Sequence, residues 1–206
     1  MYEQEVKLTA ADRAVLKRVL QSELVRRLDS GAGGRDAMHY LGIYYDIESR
    51  ALDAARCSLR ARREGAQWRA ALKYRGTMEN GLSRRRELEV DIDGALTCAD
   101  SLPPGELKRA ALKIVPPRAP LVEYLRVDMR RSIRNLMFDD TAIELSADDA
   151  LITNRMSNRQ TALYEIELEL KRGEVGKVVE LGDILLRQFP LTPSLMTKRR
   201  IGLNLG

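Results

Sequence analysis

Glu3, Glu5 and Lys7 stand two residues apart at the start of the chain, with Gln4 and Val6 between them. Residues two apart on a strand share a face, so two carboxylates and an ammonium line one side of an opening strand. The pattern returns at Glu165, Glu167, Glu169 and Lys171, which alternate with Ile166, Leu168 and Leu170. Clustered carboxylates of this kind hold hard divalent cations through oxygen. Cations recur at the same spacing in Arg60 and Arg62, in Lys73 and Arg75, and in Arg85 ahead of Glu87 and Glu89. Guanidinium and ammonium groups in series neutralise the oxygens of phosphate-like anions.

Strands must carry these rows, and the rest of the chain supplies what lies between them. After the opening strand, Thr9 is placed to cap a helix, with Asp12 three residues on, and Val15, Leu16, Val19, Leu20 and Leu24 extend it to about Leu28. The glycines of residues 30–34 end it in a loop. Residues 38–46, rich in aromatic and aliphatic side chains, favour a strand. Residues 59–62 and 68–75 read as a hairpin around Gly65, and a loop at Asn80 and Gly81 leads into a strand over 84–92. Residues 94–113 are helical in character, punctuated by Pro103 and Pro104. One or two strands over 121–136 carry Arg126, Arg130, Arg131 and Arg134, a further strand begins at Thr141, and the late acidic strand covers 162–172. Val175, Val178, Val179, Leu181 and Leu185 mark a second amphipathic helix, and a short basic segment, 194–198, closes the chain. About eight strands, few helices and no alternation of strand and helix predict an α+β fold whose antiparallel sheet curls or closes.

A chain of 206 residues can bury one sizeable core, so residues 1–206 are read as a single domain. The formal charge of +5 makes an anionic partner plausible. Cys57 and Cys98 form no disulfide or zinc pattern and are read as free thiols. No apolar run approaches the length of a membrane span, and the expected location is cytoplasmic. A single histidine, His39, leaves no Ser-His or Cys-His arrangement and is read as a surface residue. Trp68 and the seven methionines are assigned to packing.

Charges on any one strand are explained by solvent. Charged rows on five or more strands, set against aliphatic opposite faces, are better explained by a barrel whose outer faces pack under helices and whose lumen is charged. Unpaired buried charges are costly, so such a lumen needs ligands of both signs. A polyphosphate with divalent metal ions provides them.

The motif Glu3-x-Glu5-x-Lys7, followed by Tyr44-Tyr45-Asp46, the basic strands and Tyr164-Glu165-Ile166-Glu167, resembles the CYTH superfamily, or triphosphate tunnel metalloenzymes. That superfamily includes inorganic triphosphatases, thiamine triphosphatases and class IV adenylyl cyclases. The resemblance runs from residue 3 to residue 198 and is nearest to bacterial inorganic triphosphatases. It departs where Ile47 and Glu48 replace the family's Thr-Pro after Asp46.

The resemblance implies a closed eight-stranded antiparallel β-barrel, the triphosphate tunnel, with flanking helices. It assigns Glu3, Glu5, Glu87, Glu144, Asp148, Glu165, Glu167 and Glu169 to Mg²⁺ or Mn²⁺. Lys7, Arg60, Arg62, Lys73, Arg85, Arg131 and Lys198 are assigned to the substrate, with Glu5, Lys7, Arg60 and Lys73 at the chemical step. Arg130 is an alternative to Arg131, and Asp149 leaves the register of Asp148 open. The implied activity is metal-dependent hydrolysis of inorganic triphosphate or a related small-molecule triphosphate by a monomer or homodimer, without nucleic acid or membrane. The alternatives are a class IV adenylyl cyclase and a polyphosphate-binding module without catalysis.

Overall fold

The computed structural model describes residues 2–74, 76–79 and 82–206. Arg75, Asn80 and Gly81, which enter the sequence reading, lie outside them. In chain order the elements are β1 (Tyr2–Ala10), α1 (Arg13–Leu20), α2 (Glu23–Leu28), β2 (Arg35–Asp46), α3 (Ala51–Ala54), β3 (Cys57–Glu64), β4 (Gln67–Tyr74), β5 (Thr77–Glu79) and β6 (Leu82–Ile92). They continue with α4 (Glu106–Ala111), β7 (Val122–Phe138), β8 (Thr141–Asn154), β9 (Gln160–Arg172), α5 (Val175–Gln188), β10 (Leu191–Pro193) and α6 (Lys198–Leu203).

The strands run β1-β9-β8-β7-β2-β3-β4-β6, and pairing of β6 back onto β1 closes the ring. All these pairings are antiparallel, with Glu3 opposite Arg85 and Glu5 opposite Ser83 at the closing seam. The fold is therefore α+β, an eight-stranded closed barrel, with β5 and β10 added at its rim. Closure removes the exposed edges of the main sheet.

Alternation divides the apolar residues between the outside of the wall and one end of the lumen. Val6, Leu8, Leu145, Ile166 and Leu168 point out from β1, β8 and β9 and are buried with Val15, Val19, Val25, Val178, Leu181 and Leu185 of α1, α2 and α5. Ile43, Leu59, Ala61, Ala70 and Leu72 do the same on the opposite wall, beneath Leu52, Leu107 and Ala111 of α3 and α4. A third cluster fills one end of the lumen with Tyr40, Tyr44, Tyr124, Leu125, Val127, Met129, Ala150, Ile152 and Leu163. Ile201 and Leu203 of α6 pack against it, so this helix is the floor of the barrel.

The sequence reading misplaces several local features. Thr9 does not cap a helix, because β1 continues to Ala10 and pairs Thr9 with Glu165. Asp12 is the cap, accepting from Val15 N at 2.9 Å. The first helix is broken at Gln21, and Ser22 caps a second one. Residues 94–113 yield only a 3₁₀ turn at Ala99–Ser101 and the short α4, since Pro103 and Pro104 separate them. The closing segment is helical beyond Lys198. Of the methionine side chains described, Met129 is buried, whereas Met156 is 72% exposed in the β8–β9 turn.

Gly202 lets α6 approach the wall. A Cβ there would lie 2.1 Å from Leu125 Cδ1 and 3.0 Å from Ile152 Cγ2. Gly202→Ala is expected to destabilise the protein by about 1–3 kcal/mol through overpacking. Urea denaturation reads this, and an unchanged midpoint would show that α6 is not seated on Leu125.

Candidate functional site

The lumen above this floor is a cavity of about 770 Å³, and its lining includes Glu3, Glu5, Lys7, Arg60, Arg62, Lys73, Arg85, Glu87, Arg131, Glu144, Glu167, Glu169 and Lys198. Asp148 and Glu165 are fully buried behind this lining, at its deep end. Register decides the choices left open by the sequence. Arg131 pairs across β7 and β8 with Asp148 and points inward, whereas Arg130 is exposed. Asp149 points outward and meets Arg13 of α1 at 2.6 Å.

Two networks connect the charges. In the deep one, Arg131 donates through Nε and Nη2 to Asp148, both at 2.6 Å, and through Nη2 to Glu167 at 2.5 Å. Lys198 Nζ meets Asp148 at 2.8 Å, Glu167 at 2.9 Å and, more closely, Glu165. Lys7 joins Glu167 to Glu5, 3.0 Å away. In the second network Arg85 contacts Glu3 at 2.5 Å and Glu5 at 3.1 Å. Lys73 lies 2.6 Å from Glu87 and 3.5 Å from Glu3, and Arg60 4.0 Å from Glu87. Glu5 belongs to both networks. At the same level as Glu5, Glu169 and Glu144 are paired across β1, β9 and β8, and both take an ion pair from Lys171.

Among the described residues, Arg62 has no carboxylate within ion-pair distance. Its guanidinium lies 5.5 Å from the centre of the Tyr40 ring. Burial and the like charges of Arg60 and Arg131 push its pKa down, which marks it as a cation in need of an anion.

At Glu3, Glu87, Asp148, Glu165 and Glu167 burial pushes the carboxyl pKa up, and neighbours decide the outcome. Lys198, Lys7 and Arg131 outweigh burial at Glu167 and hold it well below the ordinary range. Arg131 and Lys198 do so at Asp148, and Lys73 and Arg85 at Glu3. At Glu165 burial wins despite Lys198 and Lys7, and its pKa is raised. Among the described residues, its Oε1 is buried without a hydrogen-bond partner. Lys73 is pushed down by burial and by Arg85 and Arg60, while burial raises its partner Glu87.

These directions set the stability profile. The depressed carboxyls of Glu3, Asp148 and Glu167 contribute stability that is present above their unfolded pKa values and is lost as pH falls through the folded ones. The raised ammonium pKa values of Lys7 and Lys198 contribute stability present below the unfolded lysine value and lost only as pH rises above it. The raised carboxyls of Glu165 and Glu87 act the other way above the ordinary carboxylate range, so the depressed ones are read on the acid limb: the urea midpoint, measured with chelator, is expected to fall as pH drops below about 4. A midpoint that keeps rising below about pH 4 would contradict these pairings.

Sequence reasoning missed Tyr44 as a lumenal group. It shares the inward parity of Tyr40 and Gly42 on β2, a signal available from the alternation. Burial pushes its phenol up, but Arg60, Lys73, Arg85 and Lys198 outweigh it and bring the pKa below the usual tyrosine value. Its hydroxyl is thus a polarised donor at the centre of the cations.

Asp148, Glu165 and Glu167 place ligand oxygens within 4.8 Å of one another. An all-carboxylate set suits a hard divalent ion, and the unpartnered Glu165 oxygen adds a free ligand atom. The ammonium of Lys198 contacts all three, and together with Arg131 and Lys7 it already offsets the charge of this trio.

The closed antiparallel barrel, with its lumen of interlocked acids and bases, is a tunnel fold. The sequence profile of the CYTH domain matches residues 1–193, and the chain belongs to that family. Among solved structures, it is similar to a candidate adenylyl cyclase of Hippeastrum that shows a dominant triphosphatase activity. Identity is 17%, coverage 98% of this chain and 95% of that one, and the TM-score 0.73. A candidate adenylate cyclase from Bacillus halodurans matches at 17% identity over 95% of both chains, with a TM-score of 0.57. A Pyrococcus horikoshii protein matches at 19% identity over 89% of both chains, with a TM-score of 0.53.

Proposed function

We propose that this chain hydrolyses a triphosphate, inorganic triphosphate first among them, with Mg²⁺ or Mn²⁺. The observation that carries this reading is the mutual pairing of the lumenal charges, with Arg62 left over. Carboxylates engaged by a divalent ion would release Lys7, Lys73, Arg85 and Lys198 to phosphate oxygens, so metal and triphosphate enter as one exchange of partners. Glu3, Glu5, Glu144 and Glu169, towards the mouth, and Glu165 and Glu167, deeper, would hold metal; when bound it supplies charge neutralisation and activation of water.

The chain's own residues do the rest. Arg60, Arg62 and Arg85 bind the phosphates from one wall and Arg131 with Lys198 from the floor, orienting the chain of phosphorus atoms along the lumen. Lys7 and Lys73 stabilise charge on the transferred group, and the Tyr44 hydroxyl donates a hydrogen bond into the same space. Residues 1–206 are read as one catalytic domain acting on a small molecule in the cytoplasm, as a monomer or homodimer. No helix among the described residues is long and apolar enough to cross a membrane.

Phosphate release from inorganic triphosphate, ATP and thiamine triphosphate, with Mg²⁺, Mn²⁺ or chelator, tests the proposal. Metal-dependent release from inorganic triphosphate is expected. Cyclic AMP with pyrophosphate from ATP would make the protein a cyclase instead, and tight binding without turnover a polyphosphate-binding module.

A further inference from the structure

Lys198 is the first residue of a helix only six residues long. So short a helix has little stability of its own, and its place must come from tertiary contacts. Its far end is tied by Asn154 Nδ2, which donates to the Gly202 carbonyl at 3.0 Å, and by Ser157 Oγ, which donates to that of Leu205 at 2.8 Å. The Thr197 hydroxyl caps its first turn from within, accepting from Arg200 N at 3.2 Å.

Arg199 ties that first turn to the barrel. Its Nε donates to the Tyr124 hydroxyl at 2.7 Å, and its Nη2 makes a close ion pair with Asp53 of α3. Both partners are held by special backbone. Pairing of β2 with β7 steps from Tyr44 opposite Leu125 to Tyr45 opposite Glu123, which leaves Tyr124 in a bulge. Bulges re-aim side chains, and here the Tyr124 ring packs 6.4 Å from that of Tyr44. Asp53 is positioned by Asp46, whose carboxylate accepts from the backbone N–H groups of Ile47, Leu52 and Asp53 at 2.9, 3.0 and 3.0 Å. The turn between them, where Ile47 and Glu48 stand in place of Thr-Pro, runs through Arg50 in a left-handed conformation with φ of 59°. Arg50 lies 4.4 Å from the Tyr124 ring centre and 3.6 Å from Asp53, completing the grip.

We propose that Arg199 is a positioning residue: gripped by Asp53 and Tyr124 outside the cavity, it fixes the first turn of α6 and so the place of the Lys198 ammonium at the cavity floor. The kinetic part of this inference rests on the triphosphatase reading. The structural part does not.

The test uses the full chain, labelled with ¹⁵N, and follows the ammonium signal of Lys198, assigned by its loss in Lys198→Ala. Buried and triply paired, this ammonium is expected to give a slowly exchanging signal that shifts or broadens away in Arg199→Ala and weakens in Asp53→Asn. Arg200→Ala, an exposed neighbour, leaves it in place. In turnover of inorganic triphosphate, loss of the grip is expected to raise KM about tenfold, the scale of one charge-assisted hydrogen bond, with a smaller change in kcat. The same substitution in a Lys198→Ala background should have less than about a twofold further effect, because coupled residues are not additive. Arg199→Lys keeps the charge but not the two-point grip, so it recovers the effect only in part. An unchanged Lys198 signal in Arg199→Ala and Asp53→Asn, or kinetic losses that multiply in the double variant, overturns the proposal. If Arg199→Ala does not fold, Asp53→Asn decides. If the wild type hydrolyses no triphosphate, the triphosphatase reading fails and the ammonium signal alone decides the placement of Lys198.

Discussion

Glu5→Gln is expected to lower kcat by about a hundredfold to a thousandfold, the scale of losing one preorganised charge at a reaction centre. Glu5 is 3% exposed and is the acid that joins the two networks, 3.0 Å from Lys7 and 3.1 Å from Arg85. It also stands opposite Glu169 across the β1–β9 pair, within the row of carboxylates that runs to Glu144. Glutamine keeps the size and an accepting oxygen but removes the charge. Lys7 retains Glu167 and Arg85 retains Glu3, so neither cation is stranded, and the stability cost should be no more than about 1–2 kcal/mol. Phosphate release under titration with Mg²⁺ and Mn²⁺, alongside urea denaturation, separates the two effects. A variant that turns over at near the wild-type rate with either metal would remove Glu5 from the metal site.

The charged rows were legible because they depend only on parity. Alternation places Glu3, Glu5 and Lys7 on one face whatever the sheet does, and Val6 and Leu8 opposite them announce that the other face is buried. What parity cannot supply is irregularity. Thr9 resembles a cap in isolation, yet the chance to pair with Glu165 on β9 keeps it in the strand. Tyr124 sits at an outward position by counting and turns inward because of a bulge that no local residue announces. The floor helix escaped notice because six residues give too few turns for an apolar period, and its seat depends on Leu125 and Ile152, far away in sequence. Lys198 was found through family resemblance, but the three carboxylates it contacts come from β8 and β9 and are visible only in the folded barrel.

The same limit applies to the turn after Asp46. Its departure from Thr-Pro left the path open in the sequence, and the structure shows Asp46 organising α3 with three backbone hydrogen bonds. Asp46, read in the sequence as the end of the Tyr44-Tyr45-Asp46 motif, therefore holds the turn and the start of α3 in place. Tyr45 beside it points into the outer core, and only Tyr44 of the three reaches the cavity.

Arg131→Ala is expected to destabilise the fold by about 3–5 kcal/mol, the cost of breaking a buried ion pair from one side. Arg131 makes two hydrogen bonds to Asp148, which is completely buried, and a third to Glu167. Its removal leaves Asp148 to Lys198 alone, 2.8 Å away, and that ammonium is already shared with Glu165 and Glu167. Removing both charges is a different experiment, since neutral groups of similar shape can replace a buried pair at little cost. Arg131→Met with Asp148→Asn should recover most of the lost stability, and a double-mutant cycle in urea gives the coupling directly. Activity should not return with the fold, because the guanidinium assigned to phosphate is still missing. A double variant as unstable as Arg131→Ala would mean that Arg131 holds the barrel through packing against Tyr40 and not through charge. A double variant that regains stability and full turnover would keep the ion pair and remove Arg131 from the substrate site.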